Sequence, residues 1–147
     1  MKVVAYSPIV ELSGAPLVFL EVLEILKKSK CLDISFIYWK ITDESRSYIE
    51  QKKIVTGSDM LPASRSFLRN LIHIIGIRPN LILVNTSRSS IIMLLSKLLG
   101  IKCICVVHET DEMLSCKNWV RELRYFALRS CSSFISVSKT SAEWLLK

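Results

Sequence analysis

Residues 78–109 read RPNLILVNTSRSSIIMLLSKLLGIKCICVVHE. Three segments follow one another, with Thr86 alone between the first two. NLILVN (80–85) is a continuous apolar run of the kind a strand buried on both faces requires. SRSSIIMLLSKLLG (87–100) has helical periodicity and ends on Gly100, a residue suited to a helix C-terminus. IKCICVVH (101–108) is a second buried run. A strand, a helix and a strand in succession make a crossover between parallel strands, so this stretch predicts a parallel sheet.

The rest of the chain extends the alternation. KVVAY (2–6) reads as a first strand and SPIVELSGA as the loop after it. PLVFLEVLEILKKS (16–29) reads as a helix with Pro16 in its first turn. Its polar stripe is Glu21, Glu24 and Lys28, which predicts that most of its circumference is buried. DISFIYW (33–39) is a second strand. Residues 40–62 are polar, with a short strand expected at KKIV (52–55). ASRSFLRNLIHIIG (63–76) is a helical period closed by Gly76, and KNWVRELRYFALRSC (117–131) is another helix. SFISVS (133–138) is a strand, and KTSAEWLLK (139–147) begins a last helix. The fold class is α/β: one domain over residues 1–147, Rossmann-like, an open and mostly parallel sheet with helices on both faces. Ligands of such sheets bind beyond the carboxyl ends of the strands. The loops that meet there follow Tyr6, Asn85, His108 and Ser138.

Composition narrows the setting. Half of the residues are apolar and the mean hydropathy is +0.37, which suits either a membrane protein or a parallel sheet covered on both faces. The longest apolar stretch, Ile91 to Val107, is broken by Lys97, Gly100 and Lys102. A spanning helix needs about 20 nearly unbroken apolar residues, so no segment is read as crossing a membrane. Pro8, Glu11 and Pro16 spoil a signal-peptide core, and an intracellular chain is expected. Five cysteines (31, 103, 105, 116 and 131) form no CxxC pair and fit small buried hydrophobes. Net charge is +7, and the excess lies late in the chain. Residues 1–60 carry eight basic and eight acidic side chains, residues 61–147 twelve and five. No base-reading module is present, so an anionic ligand or membrane surface is a better match than nucleic acid.

Chemistry concentrates in the predicted loops. Ser13, Gly14 and Ala15 precede a helix N-terminus, whose free amides favour an anion or a sugar hydroxyl; an ordinary strand–helix turn would use the same residues. In NTSRSS (85–90), Asn85 and Thr86 suit hydroxyl recognition beside Arg88, while Ser87 better suits a helix cap. Along the strand before His108, residues 103, 105 and 107 face one side and 104, 106 and 108 the other. Cys103 and Cys105 therefore point away from His108, and no metal site is expected. His108 at the strand end can take a proton from a substrate hydroxyl or serve as a structural histidine held by backbone. Glu109 can orient it, and Asp111 and Glu112 fit a solvated face. His73 reads as a surface residue. Trp119 and Trp144 fit helix packing, and Trp39 ends a strand.

Three segments together, SGAPLVFLEVLEILKK, the opening stretch, and ALRSCSSFISVSKTSAEWLL, resemble the N-terminal domain of family 4 (group 1) glycosyltransferases of the GT-B fold. The resemblance implies the acceptor-binding half of an enzyme whose second Rossmann-like domain holds the nucleotide-sugar, a co-substrate and not a resident cofactor. It matches His108 and Glu109 to the reaction centre and Gly14, Ala15 and Ser138 to substrate binding; Ser13, Asn85 and Thr86 join the substrate-binding set from their own places in the loops, and no metal is expected. Ser13 stands where the family usually has a paired glycine. The sequence ends at Lys147, so the donor-binding half is expected as a partner and little turnover from this chain alone. The acceptor would be a glycan or lipid-linked intermediate of surface polysaccharide synthesis. The expected location is cytoplasmic, with Arg65, Arg69, Arg121 and Arg124, and Arg129 with them, facing an anionic inner membrane surface. Two other readings stand beside it: a non-catalytic interaction module or truncated remnant, and a flavodoxin-like or dinucleotide-binding protein, which lacks a glycine fingerprint.

Overall fold

The computed structural model describes residues 1–28, 32–55, 59–63, 67–108 and 118–145. Among these residues six strands, β1 (Lys2–Val10), β2 (Asp33–Ile41), β3 (Met60–Pro62), β4 (Leu81–Asn85), β5 (Lys102–Val107) and β6 (Ser133–Ser136), alternate with six α-helices. The helices are α1 (Gly14–Lys28), α2 (Asp43–Gln51), α3 (Phe67–Ile77), α4 (Ser90–Leu98), α5 (Asn118–Leu128) and α6 (Lys139–Leu145). A 3-10 turn, Ser87–Ser89, leads into α4. The strands form one sheet in the order β3-β2-β1-β4-β5-β6, and every pairing is parallel. This is the Rossmann order, and its direction reverses between β1 and β4.

Side-chain alternation along the strands divides the core in two. Val4, Tyr6, Ile82, Val84, Cys103, Cys105 and Val107 pack with Ile74 of α3, Ile92, Met93 and Leu95 of α4, and Ala127 and Leu128 of α5. Val3, Ala5, Ile34, Phe36, Leu83 and Val106 take the other face, under Phe19, Leu20 and Leu23 of α1 and Ile49 of α2. Cys103 and Cys105 thus share a face with Val107, as their spacing requires.

The two helical layers have different outer surfaces. Among the described residues, α3, α4 and α5 expose Leu68, Ile72, Ile75, Ile91, Leu98, Trp119, Leu123, Tyr125 and Phe126, whereas α1 exposes Ile25. The first layer's helices carry Arg69, Lys97, Arg121 and Arg124 against Glu122 alone. In α1 and α2 the acidic Glu21, Glu24, Asp43, Glu44 and Glu50 outnumber Lys27, Lys28 and Arg46.

Several expectations are corrected. The first strand runs on to Val10, pairing with β2 as far as Ile41, so Ser7 to Val10 are strand and not loop. KKIV is not a strand; Ile54 and Val55 are buried in the turns after α2. The third strand lies at Met60–Pro62 instead, and the polar stretch before it contains α2. That helix is capped by Thr42, whose hydroxyl accepts from the Ser45 amide at 3.2 Å, with Asp43 and Glu44 in its first turn. Gly76 does not close α3. The helix continues to Ile77, and Arg78 takes the left-handed conformation at φ 52°, its amide donating to the Ile74 carbonyl. Helix α1 is buried or half-buried around most of its circumference, as its narrow polar stripe requires, and Ile25, 66% exposed, lies on that stripe. Trp119 is 67% exposed and does not serve helix packing.

Candidate functional site

Strand β1 outruns its neighbour β4. The two pair only from Val3 with Leu81 to Tyr6 with Val84, while β1 stays paired with β2 beyond that point. Pro8 sits in the overhang, where its missing amide costs no ladder bond. The space beside the overhang is a cavity of about 200 Å³ lined by Pro8, Ile9, Glu11, Ala15, Pro16, Asn85, Thr86, Arg88 and His108. Complete small-molecule sites run to about 300–1,000 Å³, so this is the size of one wall of a larger site. It lies where the strand order reverses, at the carboxyl ends of β1, β4 and β5.

Asn85 is the polar anchor of the wall. It is 1% exposed, and its Nδ2 donates to Ser7 Oγ at 3.0 Å. Ser7 Oγ in turn donates to the Ile9 carbonyl at 2.7 Å. With the serine proton committed to Ile9, Asn85 must present its amide to Ser7, which leaves its Oδ1 as the available acceptor. That oxygen is buried and accepts no hydrogen bond from the described residues. A ligand hydroxyl or N–H would supply the donor it needs.

Thr86, next in the wall, has φ 70° and ψ 152°, a region populated almost only by glycine. Its backbone is held from several sides: its amide donates to Val106 and its carbonyl accepts from Ser89. Its hydroxyl accepts from the Arg88 amide at 3.3 Å, so Thr86 caps the 3-10 turn within which Ser87 lies. Ser89 Oγ closes the turn on the Asn85 carbonyl at 2.6 Å. The strain places Arg88 on the cavity, beside the N-terminal turn of α1. A cation and the free amides of a helix start together favour an anionic group.

The cavity gathers Ala15, Asn85, Thr86 and His108 from the residues expected to bind or react. Ser13 and Gly14 are exposed and not part of the lining; Gly14 takes φ 54° to start α1. Ser138 does not line it either. Its hydroxyl accepts from the Ser141 amide at 3.1 Å, and its own amide donates to Ser141 Oγ at 3.2 Å, a reciprocal cap of α6. Glu109, Asp111, Glu112 and Arg65 lie outside the described residues, as do the side chains of Trp144 to Leu146. Arg69 is on α3, and Arg121 and Arg124 on α5. Pro8, Ile9, Glu11 and Pro16 were not expected in the wall; the proline inside a strand was the available signal, since only an unpaired strand side tolerates it.

The thiols form a separate, closed cluster. Cys131 Sγ lies 3.8 Å from Cys103 Sγ. The hydrogen bond with Cys131, then burial, pushes the Cys103 thiol well up. Cys131 is lowered by its bond to Cys103 but raised more by Cys105 and by burial, and ends pushed up to about 12. Thiols held protonated are poor nucleophiles and poor metal ligands.

The model of Glycosyltransferase Family 4 matches residues 42–147, from the cap of α2 through β4, β5 and the cavity residues Asn85 to His108. The chain belongs to glycosyltransferase family 4. The family match begins after β1 and its loop, but the fold likeness covers them. UDP-GlcNAc 2-epimerase from Methanocaldococcus jannaschii superposes on 99% of the chain with a TM-score of 0.70 at 11% identity. The glycosyltransferase SsfS6 of Streptomyces sp. SF2575 superposes on 87% with a TM-score of 0.51 at 13% identity. The chain spans 42% and 44% of those two proteins, and at these identities the likeness establishes the fold: one Rossmann-like half of a GT-B arrangement. No curated protein matches the chain. Membership of the family gives the chain a glycosyltransferase-related role, and no helix among the described residues is long and apolar enough to cross a membrane.

Proposed function

We propose that this chain is the acceptor-binding half of a glycosyltransferase that moves a sugar from a nucleotide-sugar to a glycan or lipid-linked acceptor of surface polysaccharide synthesis. The observation that carries the reading is the buried Asn85 Oδ1, an acceptor with no hydrogen-bond partner among the described residues, on a residue that lines the cavity at the switch point of the sheet. An acceptor hydroxyl bound there lies beside His108, which can take its proton as the new glycosidic bond forms. Arg88 and the start of α1 suit the phosphate side of the sugar donor, with the rest of the nucleotide-sugar held by a second, donor-binding domain.

The helical layer α3 to α5, apolar and basic on its outer side, supports a place at the inner face of an anionic membrane, where a lipid-linked acceptor is found. The same exposed apolar surface favours the second reading, an interaction module without catalysis.

The test pairs the chain with a donor-binding GT-B domain and measures transfer of labelled sugar from a panel of nucleotide-sugars to lipid-linked acceptors. Transfer that needs both halves and falls in His108→Ala supports the enzyme. Binding between the halves with no transfer in any combination favours the interaction module.

A further inference from the structure

A second cavity, about 440 Å³ and more open, lies on the other side of β1. Tyr38, Trp39, Lys40 and Thr42 line it, and it shares Ile9 and Glu11 with the cavity of Asn85 and His108. The two are therefore one groove along the carboxyl ends of the strands, divided by the end of β1. Trp39, expected to end its strand, lies two residues before the end of β2 at Ile41 and is 47% exposed, near the carboxyl ends where a doubly wound sheet binds ligands.

The two ends differ in chemistry. Arg88 and the α1 N-terminus favour an anion at the Asn85 end. At the Trp39 end the groove adds an indole and the Lys40 ammonium to the Glu11 carboxylate that both ends share. An aromatic face for apolar C–H groups, next to a carboxylate and an ammonium that pair with hydroxyls, recognises a sugar ring. Trp39 on β2 and Asn85 on β4 are two strand spacings apart, about 10 Å. One hexose ring does not reach across that distance; two linked rings do.

We infer that Trp39 and Glu11 form a sugar subsite for the second residue of the acceptor, so that the protein selects an acceptor of at least two sugar units whose terminal ring lies at Asn85 and His108. This rests on the reading of the Asn85 cavity as the acceptor site. Trp39 is the specificity-determining residue: it holds the ring behind the reacting one and takes no part in the proton transfer.

The experiment is a titration of the ¹⁵N-labelled chain with glucose, galactose, maltose, cellobiose, lactose and diacetylchitobiose, with uridine diphosphate as a further arm. The Trp39 indole signal is assigned with Trp39→Phe, and the Asn85 side-chain amide with Asn85→Ala. A disaccharide is expected to shift both signals and a monosaccharide only Asn85. Trp39→Ala, with an otherwise unchanged amide spectrum, should weaken the disaccharide about tenfold and leave the monosaccharide unchanged. Running the disaccharides free and as octyl glycosides separates a free glycan from a lipid-carried one by which binds tighter. A Trp39 signal that no disaccharide moves, or that uridine diphosphate moves and the sugars do not, overturns the inference. If Asn85 shifts and Trp39 does not, the acceptor site stands without this subsite. If Trp39 shifts and Asn85 does not, the sugar subsite stands and the reading of the Asn85 cavity falls.

Discussion

Asn85 of β4 and Ser7 of β1 are joined by a buried side-chain hydrogen bond of 3.0 Å just past the point where the backbone ladder between their strands ends. The pair continues the β1–β4 seam with side chains where the main chains diverge. It also orients the Asn85 amide, so one contact closes the sheet and sets the polarity of the cavity wall. Ser7→Ala leaves a buried N–H without its acceptor and should cost about 1–3 kcal/mol. Urea denaturation reads this directly, and a cost near zero would mean that the bond does not fix the asparagine.

Thr86 should behave unlike other threonines. At its φ and ψ a β-branched residue carries about 1–3 kcal/mol of strain that glycine does not, while its cap on the Arg88 amide contributes about 1 kcal/mol. Thr86→Gly is therefore expected to leave the melting temperature unchanged or raise it. The same change should loosen the turn that presents Arg88 and weaken binding of an anionic ligand such as uridine diphosphate. A clear loss of stability would show that the hydroxyl contributes more than the strain takes away.

His108 tests the division between core and site. It follows β5 at the cavity edge and is half-buried. In an enzyme assembled with a donor-binding domain, His108→Ala should lower transfer by about 10²–10⁴-fold, the range of general acid–base catalysis, while the melting temperature hardly moves. A large drop in melting temperature with transfer intact would make it a structural histidine.

How much of this was legible in the sequence follows from what burial leaves behind in a chain. NLILVN and IKCICVVH are strands covered on both faces, so their unbroken apolar runs announce both the strands and the parallel sheet. Asn85 and His108 stand out because each is the first polar residue after such a run, and that is where a doubly wound sheet binds ligands. The extension of β1 was hidden because its signal, Pro8, ordinarily argues against a strand; only the missing β4 partner makes it permissible. Helix α2 was hidden because its few buried residues, Ser45 and Ile49, leave little periodicity, and its evidence is the cap at Thr42. Gly76 misled because a glycine near a helix end is usually the stop, yet the chain put its left-handed residue at Arg78, just before Pro79. Ile9 and Glu11 gave no signal, since the groove that unites them with Trp39 exists only once β1 and β2 lie side by side.

The thiol cluster makes a pH prediction. An acid whose folded pKa is raised binds its proton more tightly folded than unfolded. Cys131 therefore adds stability that is fully present below about pH 9, the ordinary thiol value, and is lost as pH rises toward about 12. Cys103 and the buried Tyr6 hydroxyl, both shifted up, act in the same direction. Stability by urea denaturation should be flat below pH 9 and fall above it. Alkylation followed by mass mapping at pH 8 should leave Cys103, Cys105 and Cys131 unmodified in the folded protein. Rapid native labelling of Cys103 would mean that the cluster opens.

The outer surface of α3 to α5 makes the last prediction. Trp119, Leu123 and Phe126 recur at i, i+4 and i+7 of α5, and Leu68 and Ile72 at i and i+4 of α3, so each helix turns an apolar stripe outward. Arg69, Lys97, Arg121 and Arg124 accompany them, and Lys97 Nζ lies 5.6 Å from the centre of the Phe126 ring, a cation held at the aromatic face. Apolar side chains beside cations match the boundary of an anionic bilayer, where each basic residue contributes about 1 kcal/mol. Vesicles containing phosphatidylglycerol should bind the chain, and binding should weaken as salt shortens the screening length from about 30 Å at 0.01 M to about 8 Å at 0.15 M. Replacing Arg121 and Arg124 with glutamine should remove about 2 kcal/mol of binding, some thirtyfold, and leave the fold intact because both lie on the outer layer. Trp119→Ser and Phe126→Ser should weaken binding at every salt concentration, since their contribution is not screened. Equal binding to vesicles of phosphatidylcholine alone would separate this face from anionic lipid and leave it as a surface for protein.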